Sequence, residues 1–217
     1  MQIYNLSEGN SLLNNFLKEI RDKNIQKDSM RFRRNMERIA YIMAYEISKK
    51  LNYTTETIQT PLTETTINTP NDKIVVASIL RAGIPFHNGI LDFFDKAESA
   101  FISAYRKYDE THINFEIFVE YIASPSLTNK TLILCDPMLA TGGSMELSYK
   151  ALLSKGLPAH IHIVSVIASQ KAIDYIKQHL PENTTIWVAA IDPVLNEHSY
   201  IVPGLGDAGD LAFGEKL

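Results

Sequence analysis

One segment of the chain combines an acid, hydroxyls and adjacent glycines at a spacing that suits phosphate binding. Residues 131–135 form a short apolar run, Asp136 follows it directly, and residues 141–144 read Thr-Gly-Gly-Ser ahead of a helical pattern. Glycine carries no Cβ, so the backbone there can turn tightly and approach a ligand closely. The start of the following helix adds free N–H groups and a positive dipole end. The segment therefore predicts a phosphate cradle with a carboxylate beside it, rather than a plain strand–turn–helix corner.

Basic residues follow two other apolar runs. Arg81 comes directly after residues 73–80, and the Arg-Lys pair 106–107 comes after residues 100–105. The carboxyl ends of parallel strands share one crevice in an open α/β sheet, so we expect these cations close to the cradle. Several cations together indicate a substrate with more than one phosphate group. Asp136 would then face sugar hydroxyls or a magnesium ion.

Other residues with chemical potential give weaker signals. His160 and His162 lie two apart on one strand, but no neighbouring Cys or acid completes a metal site, so we expect ordinary strand residues. Cys135 lies in an apolar run and has no His at a fixed spacing, which argues against a nucleophile. No Gly-Lys-Thr follows the glycines, so the cradle is not a Walker loop. The sequence predicts no metal site built from protein ligands alone.

Composition limits the classes of protein that fit. The chain has 217 residues, of which 45% are hydrophobic, and this length suits one domain. A net charge of −4 argues against wholesale binding of nucleic acid. No apolar run reaches the roughly 18 residues of a membrane helix, and we read no signal peptide at the N-terminus. The single cysteine, Cys135, fits a reducing cytosol, so we expect a cytoplasmic protein.

The predicted elements alternate in a way that can position these residues. Apolar runs typical of buried strands occur at 73–80, 100–105, 131–135, 161–168 and 184–191, with helical patterns between most of them. This order predicts an α/β fold with a doubly wound parallel sheet and right-handed crossovers. Two helices are predicted at the N-terminus, over 12–20 and 29–49, and the Thr-rich residues 53–69 suit an exposed hairpin arm. We expect residues 1–217 to form a single domain with a small hood, which is built from elements of the N-terminal region and of residues 193–217.

The chain end from 193 to 217, here called the tail, has an unusual composition. Glycines are concentrated between Gly204 and Gly214, which would normally indicate a mobile terminus. The apolar residues 200–203 and Phe213 are anchors that a mobile terminus would not need. We predict an ordered loop that presents backbone N–H and C=O groups to a ligand and contributes to the hood.

Three motifs resemble those of type I phosphoribosyltransferases, in the form found in the uracil phosphoribosyltransferase family. They are Asp-Pro-Met-Leu-Ala-Thr-Gly-Gly-Ser at 136–144, Ile-Leu-Arg-Ala-Gly at 79–83, and the glycine-rich segment 195–210. The motifs occur in the family's order, and the similarity spans nearly the whole chain but is weakest in the first fifty residues. The segment 195–210 is the most specific, because the general phosphoribosyltransferase signature does not predict it.

The resemblance implies a reaction and a role for each motif. Uracil and 5-phosphoribosyl diphosphate would give UMP and diphosphate, with Mg²⁺ carried by the diphosphate substrate. The cradle would hold the 5-phosphate, and its members are Asp136, Pro137, Met138, Leu139, Ala140, Thr141, Gly142, Gly143 and Ser144. Arg81 and Arg106 would bind the diphosphate, and Asp136 would hold the ribose hydroxyls.

The tail would bind the base in this resemblance. Backbone groups of Ile201, Gly206 and Ala208 would read uracil, and Asp207 would face the ribosyl diphosphate or its metal. Asp207, Arg106 and Asp136 are therefore the expected catalytic residues. The reaction needs alignment of two substrates and stabilisation of a departing diphosphate more than it needs a general base.

The resemblance also implies partners and shows where this chain departs from the family. Family members are often homo-oligomers, here expected as a dimer or tetramer, and some are activated by GTP. Many type I enzymes carry two adjacent acids where this chain has Asp136 followed by Pro137. Residues 109–125 also diverge, with acids where a basic or neutral hood is usual. Pro137 resembles the uracil branch of the type I enzymes and leaves one carboxylate for the sugar. The divergence in 109–125 concerns GTP regulation and subunit contacts.

Two other functions remain open from the sequence. A nucleotide-sensing or RNA-binding regulatory protein of this fold would be expected to carry a concentrated basic surface. The basic cluster at residues 31–38 is interrupted by Glu37, and we interpret it as a solvated helix face. A purine phosphoribosyltransferase would be expected to stack its base on an aromatic residue, for which Tyr200 and Phe213 are candidates. The Gly-Asp-Ala of residues 206–208 favours uracil.

Overall fold

The computed structural model describes residues 1–108 and 115–216, with the side chains of 105–108 and 115–118 outside the described part. The strands are β1 (Gln2–Asn5), β2 (Tyr53–Gln59), β3 (Glu64–Pro70), β4 (Ile74–Leu80), β5 (Glu98–Tyr108), β6 (Phe115–Ala123), β7 (Thr131–Cys135), β8 (Met138–Leu139), β9 (His160–Ser169), β10 (Thr184–Asp192), β11 (Val194–Leu195) and β12 (Ile201–Val202). The helices are α1 (Leu13–Arg21), α2 (Ser29–Ser48), α3 (Ile84–Leu91), α4 (Gly143–Leu152), α5 (Gln170–His179) and α6 (Ala208–Phe213). Short 3-10 helices cover Leu6–Glu8 and Leu153–Lys155.

The main sheet has the strand order β1-β10-β9-β7-β4-β5-β6, and β8 pairs with β9. Neighbouring strands are parallel, apart from the antiparallel pair β5 and β6. Every residue of β7 is buried, and β4, β9 and β10 are buried along almost their whole length. Apolar residues on both faces of a strand require cover on both sides, which is why these runs do not alternate. The predicted doubly wound parallel sheet is confirmed.

Helices cover the sheet on both faces. One hydrophobic core joins α1, α2, α3 and α6 to one face of the strands, with Phe32 and Trp187 among its largest side chains. The other core joins α4 and α5 to the opposite face, through residues such as Met145 and Ile173. Consecutive strand residues therefore point into different cores, as Val75 and Val76 of β4 do.

The hairpin β2–β3 stands apart from both cores. Its strands pair antiparallel from Tyr53 opposite Pro70 to Gln59 opposite Glu64, and nearly every residue is exposed. This matches the exposed arm that the Thr-rich composition predicts. None of the described helices is long and apolar enough to cross a membrane.

Both chain ends differ from the sequence prediction. Strand β1 was not predicted, because its residues Gln-Ile-Tyr-Asn lack an apolar run; it adds a parallel edge strand beside β10. The tail is ordered, as predicted, but it is more than a loop: β11 pairs with β12, and α6 follows. Helix α6 can form in a glycine-rich segment because the Asp207 side chain caps its first turn.

Candidate active site

A cleft of about 650 Å³ lies at the carboxyl edge of the main sheet. Strand β4 lies between β5 and β7, so Arg81 and Asp136 emerge at the same edge, as expected for parallel neighbours. The tail closes the other side of the cleft. Of the residues predicted from sequence, the cleft is lined by Arg81, Asp136, Met138, Ala140, Ser144, Ile201, Gly206, Asp207 and Ala208. The strand ends and the tail, far apart in sequence, therefore face one space.

The rest of the cradle adjoins this cleft. Leu139, Thr141 and Gly142 line a smaller recess together with Asp136 and Ser144. Pro137 is buried behind the recess, where its carbonyl accepts a hydrogen bond from the Ile167 N–H at 3.0 Å. Gly143 is the first residue of α4. The structure thus brings residues 136–144 together as one curved segment.

Gly142 is required by the shape of the cradle. It has a φ of +89°, and no side chain caps α4 there, so the first backbone N–H groups of the helix are left for a ligand. A Cβ at this position would stand 2.7 Å from Cδ1 of Tyr175. Any other residue would therefore be strained in its backbone and would also meet the aromatic ring.

The cradle is supported from beneath by polar contacts. The Tyr175 hydroxyl donates to Oε2 of Glu146 at 2.6 Å, and Lys150 Nζ lies 2.6 Å from Oε1 of the same carboxylate. Burial acts to raise the pKa of Glu146, but the hydrogen bonds from Lys150 and Tyr175 outweigh it and hold the pKa below its usual value. Nearby, Ser169 Oγ donates to the Ala140 carbonyl at 2.6 Å. These contacts fix both ends of the segment from Ala140 to Glu146.

Arg81 joins the strand end to the tail. Its Nη2 donates to Asp210 Oδ1 at 3.2 Å and to the Gly214 carbonyl at 3.0 Å. Its Nε is buried and has no hydrogen-bond partner among the described residues. A buried donor of this kind is costly unless a ligand satisfies it. The peptide bond between Leu80 and Arg81 is cis.

Arg106 is only partly described. Its backbone lies in β5 opposite Ile117 of β6, but its side chain lies outside the described residues, as does that of Lys107. The cleft has a further cation that the sequence reading missed, because Lys216 also lines it. A lysine near the chain end has no local sequence pattern that marks it as a ligand.

The tail forms a compact turn over the cleft. Ile201 is buried, and it pairs with Leu195 of β11. The Val202–Pro203 peptide bond is cis, and Gly206 has a φ of +93°. Asp207 Oδ1 accepts from the Asp210 N–H at 2.9 Å as the N-cap of α6. These contacts hold the backbone of 201–208 in place, and Ile201, Gly206, Asp207 and Ala208 of this segment line the cleft.

A pair of residues that sequence reasoning missed supports this turn. Arg21 makes two hydrogen bonds to Asp192, Nη1 to Oδ2 at 2.8 Å and Nη2 to Oδ1 at 2.9 Å. Both side chains also bond to the backbone of Gly204. The partners are 171 residues apart, so no spacing in the sequence signals their contact.

None of the histidines in the described part of the chain lines the cleft, and Cys135 does not line it either. His162 Nδ1 accepts from Trp187 Nε1 at 3.0 Å, and burial lowers the pKa of His162 to about 3. His160 Nε2 lies 3.0 Å from Thr185 Oγ1. Among the described residues, no group of three or more His, Cys, Asp or Glu side chains could hold a metal ion. Cys135 is fully buried, and burial raises the pKa of its thiol, which does not suit a nucleophile.

The basic cluster of α2 is occupied by contacts within the chain. Arg31 pairs with Glu19, and Arg34 pairs with Glu37. Arg33 Nη1 donates to the Ala212 carbonyl at 2.7 Å, and so helps to hold α6 against α2. These contacts agree with a helix face rather than a nucleic-acid surface.

The comparisons with known proteins agree with one another. The sequence profile of a family described as uracil phosphoribosyltransferase matches residues 8–215. A uracil phosphoribosyltransferase of Porphyromonas gingivalis is 62% identical over 217 residues, which cover 100% of both chains. One from Pyrococcus furiosus is 39% identical over 204 residues, covering 93% of this chain and 85% of its own. Among solved structures, the AQ2163 protein of Aquifex aeolicus is similar with a TM-score of 0.86 at 28% identity, covering 98% of each chain.

Proposed function

The chain belongs to the uracil phosphoribosyltransferase family, and we propose that it transfers the 5-phosphoribosyl group from 5-phosphoribosyl diphosphate to uracil, giving UMP and diphosphate. The observation that carries this proposal is the single cleft of about 650 Å³ that the phosphate cradle and the tail both line. A phosphorylated sugar on one wall and a planar base on the other would meet in that space.

In this proposal the cradle binds the 5-phosphate. The backbone N–H groups at the start of α4 and the hydroxyls of Thr141 and Ser144 would donate to the phosphate oxygens. Gly142 supports the assignment, because its left-handed backbone lets the chain curve closely around an anion. Asp136, at the start of the cradle, would accept hydrogen bonds from the ribose hydroxyls.

The diphosphate would lie towards Arg81 and Arg106. The buried Nε of Arg81, which has no partner among the described residues, supports this role. Lys216, which also lines the cleft, adds charge to the same wall. Arginine pairs well with phosphate oxygens through two parallel hydrogen bonds and could stabilise the charge that builds on the departing diphosphate.

Mg²⁺ is proposed to enter with the diphosphate. The carboxylates of Asp136 and Asp207 line the cleft and offer the hard oxygen ligands that Mg²⁺ prefers, with substrate phosphates completing the set. When bound, the ion would neutralise negative charge on the diphosphate. Asp207 would also orient the ribosyl diphosphate next to the base.

The base would be read by the backbone of the tail. Uracil presents alternating acceptors and a donor along its edge, which peptide groups of Ile201, Gly206 and Ala208 can match. Cytosine reverses part of that pattern, so it would leave a buried group unpaired and bind much more weakly. The fixed conformation of 201–208 supports this assignment, because selectivity by backbone needs a rigid frame.

The proposed chemistry is a displacement at the anomeric carbon. A bond forms between uracil N1 and C1 of the ribose while the bond from C1 to the diphosphate oxygen breaks, and the N1 proton is released. Charge develops as in glycoside hydrolysis, with an oxocarbenium-like ring. The residues hold both substrates in line and stabilise the leaving group, so no obligatory general base is assigned.

The proposal extends to the state of the protein. We propose that residues 1–217 act as one domain, with hood elements from the N-terminal region and the tail 193–217. A homo-oligomer, as a dimer or tetramer, is supported by the exposed β2–β3 hairpin, since an isolated hairpin is marginally stable without cover. GTP as an effector rests on the resemblance alone. A cytoplasmic location is supported by the single buried cysteine.

A base panel tests the function. Protein, Mg²⁺ and 5-phosphoribosyl diphosphate are incubated separately with uracil, cytosine, hypoxanthine, guanine and adenine, and nucleotide products are separated by chromatography. We expect UMP from uracil and no comparable product from the other bases. No turnover with any base would overturn the proposal, and a purine nucleotide as the main product would replace uracil as the substrate.

A further inference from the structure

The Arg21–Asp192 pair forms hydrogen bonds with both backbone polar groups of one tail residue, Gly204. We propose that these two residues determine base specificity by positioning the turn that reads uracil, an inference that rests on the proposed function. Neither residue lines the cleft. Their effect on the base would therefore be transmitted through Gly204, and both are positioning residues.

Gly204 is held by hydrogen bonds through both of its backbone polar groups. Arg21 Nη1 donates to the Gly204 carbonyl at 3.1 Å, and the Gly204 N–H donates to Asp192 Oδ2 at 2.8 Å. The same Oδ2 accepts from Arg21 Nη1 at 2.8 Å. Both polar groups of one backbone residue are thus bonded to two side chains that are bonded to each other. Translation or rotation of this residue would break at least one of these bonds.

The pair is fixed to rigid parts of the fold. Asp192 is the last residue of β10, where it pairs with Ser169 of β9, and Arg21 is the last residue of α1. The Asp192 side chain is 7% exposed and that of Arg21 is 22% exposed. A carboxylate this buried requires its partners, because an unpaired charge there would be strongly unfavourable. The tail is therefore tied to the sheet and to the N-terminal helices at one point.

Gly204 lies in the middle of the base-reading segment. Ile201 is three residues before it, Gly206 two residues after it, and Ala208 four residues after it. Its φ is +55°, and a Cβ there would stand 2.1 Å from the Ile201 carbonyl oxygen. The turn is thus tight enough that a shift at Gly204 would move the neighbouring backbone groups with it.

Backbone recognition makes specificity sensitive to such a shift. A side chain can change rotamer to keep a hydrogen bond, but a peptide group moves only with its chain. If the turn relaxes, its backbone hydrogen-bonding groups are no longer fixed in position. They then discriminate less strongly against a base with a different pattern of donors and acceptors. Selectivity between uracil and cytosine should therefore fall more than the binding of 5-phosphoribosyl diphosphate. Most proposed contacts of that substrate lie in the cradle and at Arg81 and Arg106, and Asp207 is its one proposed contact in the tail.

The test compares Arg21→Met and Arg21→Lys with a matched control, Arg34→Met. Arg34 is also an arginine of the N-terminal helices and forms an ion pair with Glu37, but it makes no contact with the tail among the described residues. For each protein we would measure KM for uracil, KM for 5-phosphoribosyl diphosphate, kcat and the inhibition constant of cytosine. Circular dichroism and thermal unfolding would establish that each variant is folded.

In Arg21→Met we expect KM for uracil to rise by ~10-fold and the ratio of the cytosine inhibition constant to that KM to fall by ~10-fold, the effect of about one net hydrogen bond. KM for 5-phosphoribosyl diphosphate should change by less than ~3-fold, no more than the smallest net effect of one hydrogen bond. Arg21→Lys should fall between this variant and the wild type, because lysine can keep one bond. Arg34→Met should behave as the wild type.

The outcomes separate the two proposals. If the wild type makes no UMP, the proposed function fails and this inference fails with it. If the wild type is active but folded Arg21→Met keeps the wild-type base ratio, or loses uracil and diphosphate-sugar affinity equally, only the inference fails. Should Arg21→Met not fold, Arg21→Lys decides: a base ratio unchanged from the wild type would overturn the inference.

Discussion

Asp207 contributes both a helix cap and a negative charge, and these can be separated by one substitution. Its Oδ1 accepts from the Asp210 N–H as the N-cap of α6, while its carboxylate also lines the cleft. Asparagine caps a helix about as well as aspartate but carries no charge. At the scale of single residues, the structure therefore allows a chemical role to be tested without loss of the local fold.

Asp207→Asn should keep the fold and lose turnover. We expect the free energy of unfolding to change by less than ~0.5 kcal/mol, because the cap is retained. We expect kcat to fall by at least ~100-fold, because a charge facing the ribosyl diphosphate or its metal is lost. Chemical denaturation and steady-state UMP formation provide the two measurements.

Asp28→Asn is the matched control, since Asp28 caps α2 in the same way, with Oδ1 accepting from the Arg31 N–H at 3.0 Å. It should leave both quantities unchanged. Near-normal turnover in Asp207→Asn would remove Asp207 from the catalytic residues.

At the scale of elements, α4 and α5 act together to shape the cradle. Tyr175 of α5 packs against Gly142 and donates to Glu146 in the first turn of α4. The position of the N–H groups proposed to bind phosphate thus depends on a contact between two helices on one face of the sheet. The Glu146 carboxylate is satisfied by that hydroxyl and by Lys150.

Tyr175→Phe should loosen this arrangement while keeping the ring against Gly142. Removal of the hydroxyl leaves a nearly buried carboxylate with one partner fewer, so we expect a loss of about 1–3 kcal/mol of stability. KM for 5-phosphoribosyl diphosphate should rise, while KM for uracil stays nearly constant. Tyr45→Phe is the control, because the Tyr45 hydroxyl is exposed and bonds to no described residue. Equal effects on both substrates would contradict a specific role in the cradle.

The sequence predicted elements well where local physics decides them. Strands such as β4 and β7 are buried on both faces, so their apolar runs identify them without any tertiary information. Strand β1 escaped prediction because it is an edge strand of polar composition, formed by its pairing with β10. Helix α6 escaped because glycine has a low helix propensity, and the cap at Asp207 overcomes that preference only in the folded chain.

The candidate site divides in the same way. Residues 136–144 and Arg81 follow their strands directly, so the rule that ligands bind at carboxyl ends of strands was enough to bring them together. The pair Arg21–Asp192 and the contact of Tyr175 with Glu146 depend on long-range packing, which has no local pattern. The residues proposed to touch a substrate were therefore easier to predict than the residues that hold them in place.

At the scale of the whole molecule, buried histidines make stability depend on pH. Burial lowers the pKa of His162 from 6.5 to about 3 and that of His87 from 6.5 to about 4. Between these values and 6.5 the unfolded chain binds protons that the folded chain does not. The free energy of unfolding should therefore fall as the pH drops below about 6.5, by up to ~1.4 kcal/mol per pH unit for each histidine.

His162→Gln tests this dependence. Glutamine does not titrate and can still accept a hydrogen bond from Trp187 Nε1. Between pH 6 and pH 4, the variant should therefore lose a smaller fraction of its free energy of unfolding than the wild type. Urea unfolding at a series of pH values measures the slopes. An unchanged slope would show that His162 already carries a proton in the folded protein.

In the proposed enzyme, one cleft holds the phosphate at the cradle and the base at the tail. The most direct test is an experimental structure with UMP bound. We predict the phosphate of UMP at the N-terminus of α4, within hydrogen-bond distance of the backbone of 141–144. We predict the uracil ring against the backbone of Ile201, Gly206 and Ala208, with Asp136 at the ribose hydroxyls. A phosphate bound elsewhere, or a uracil ring that makes no contact with residues 201–208, would contradict the account.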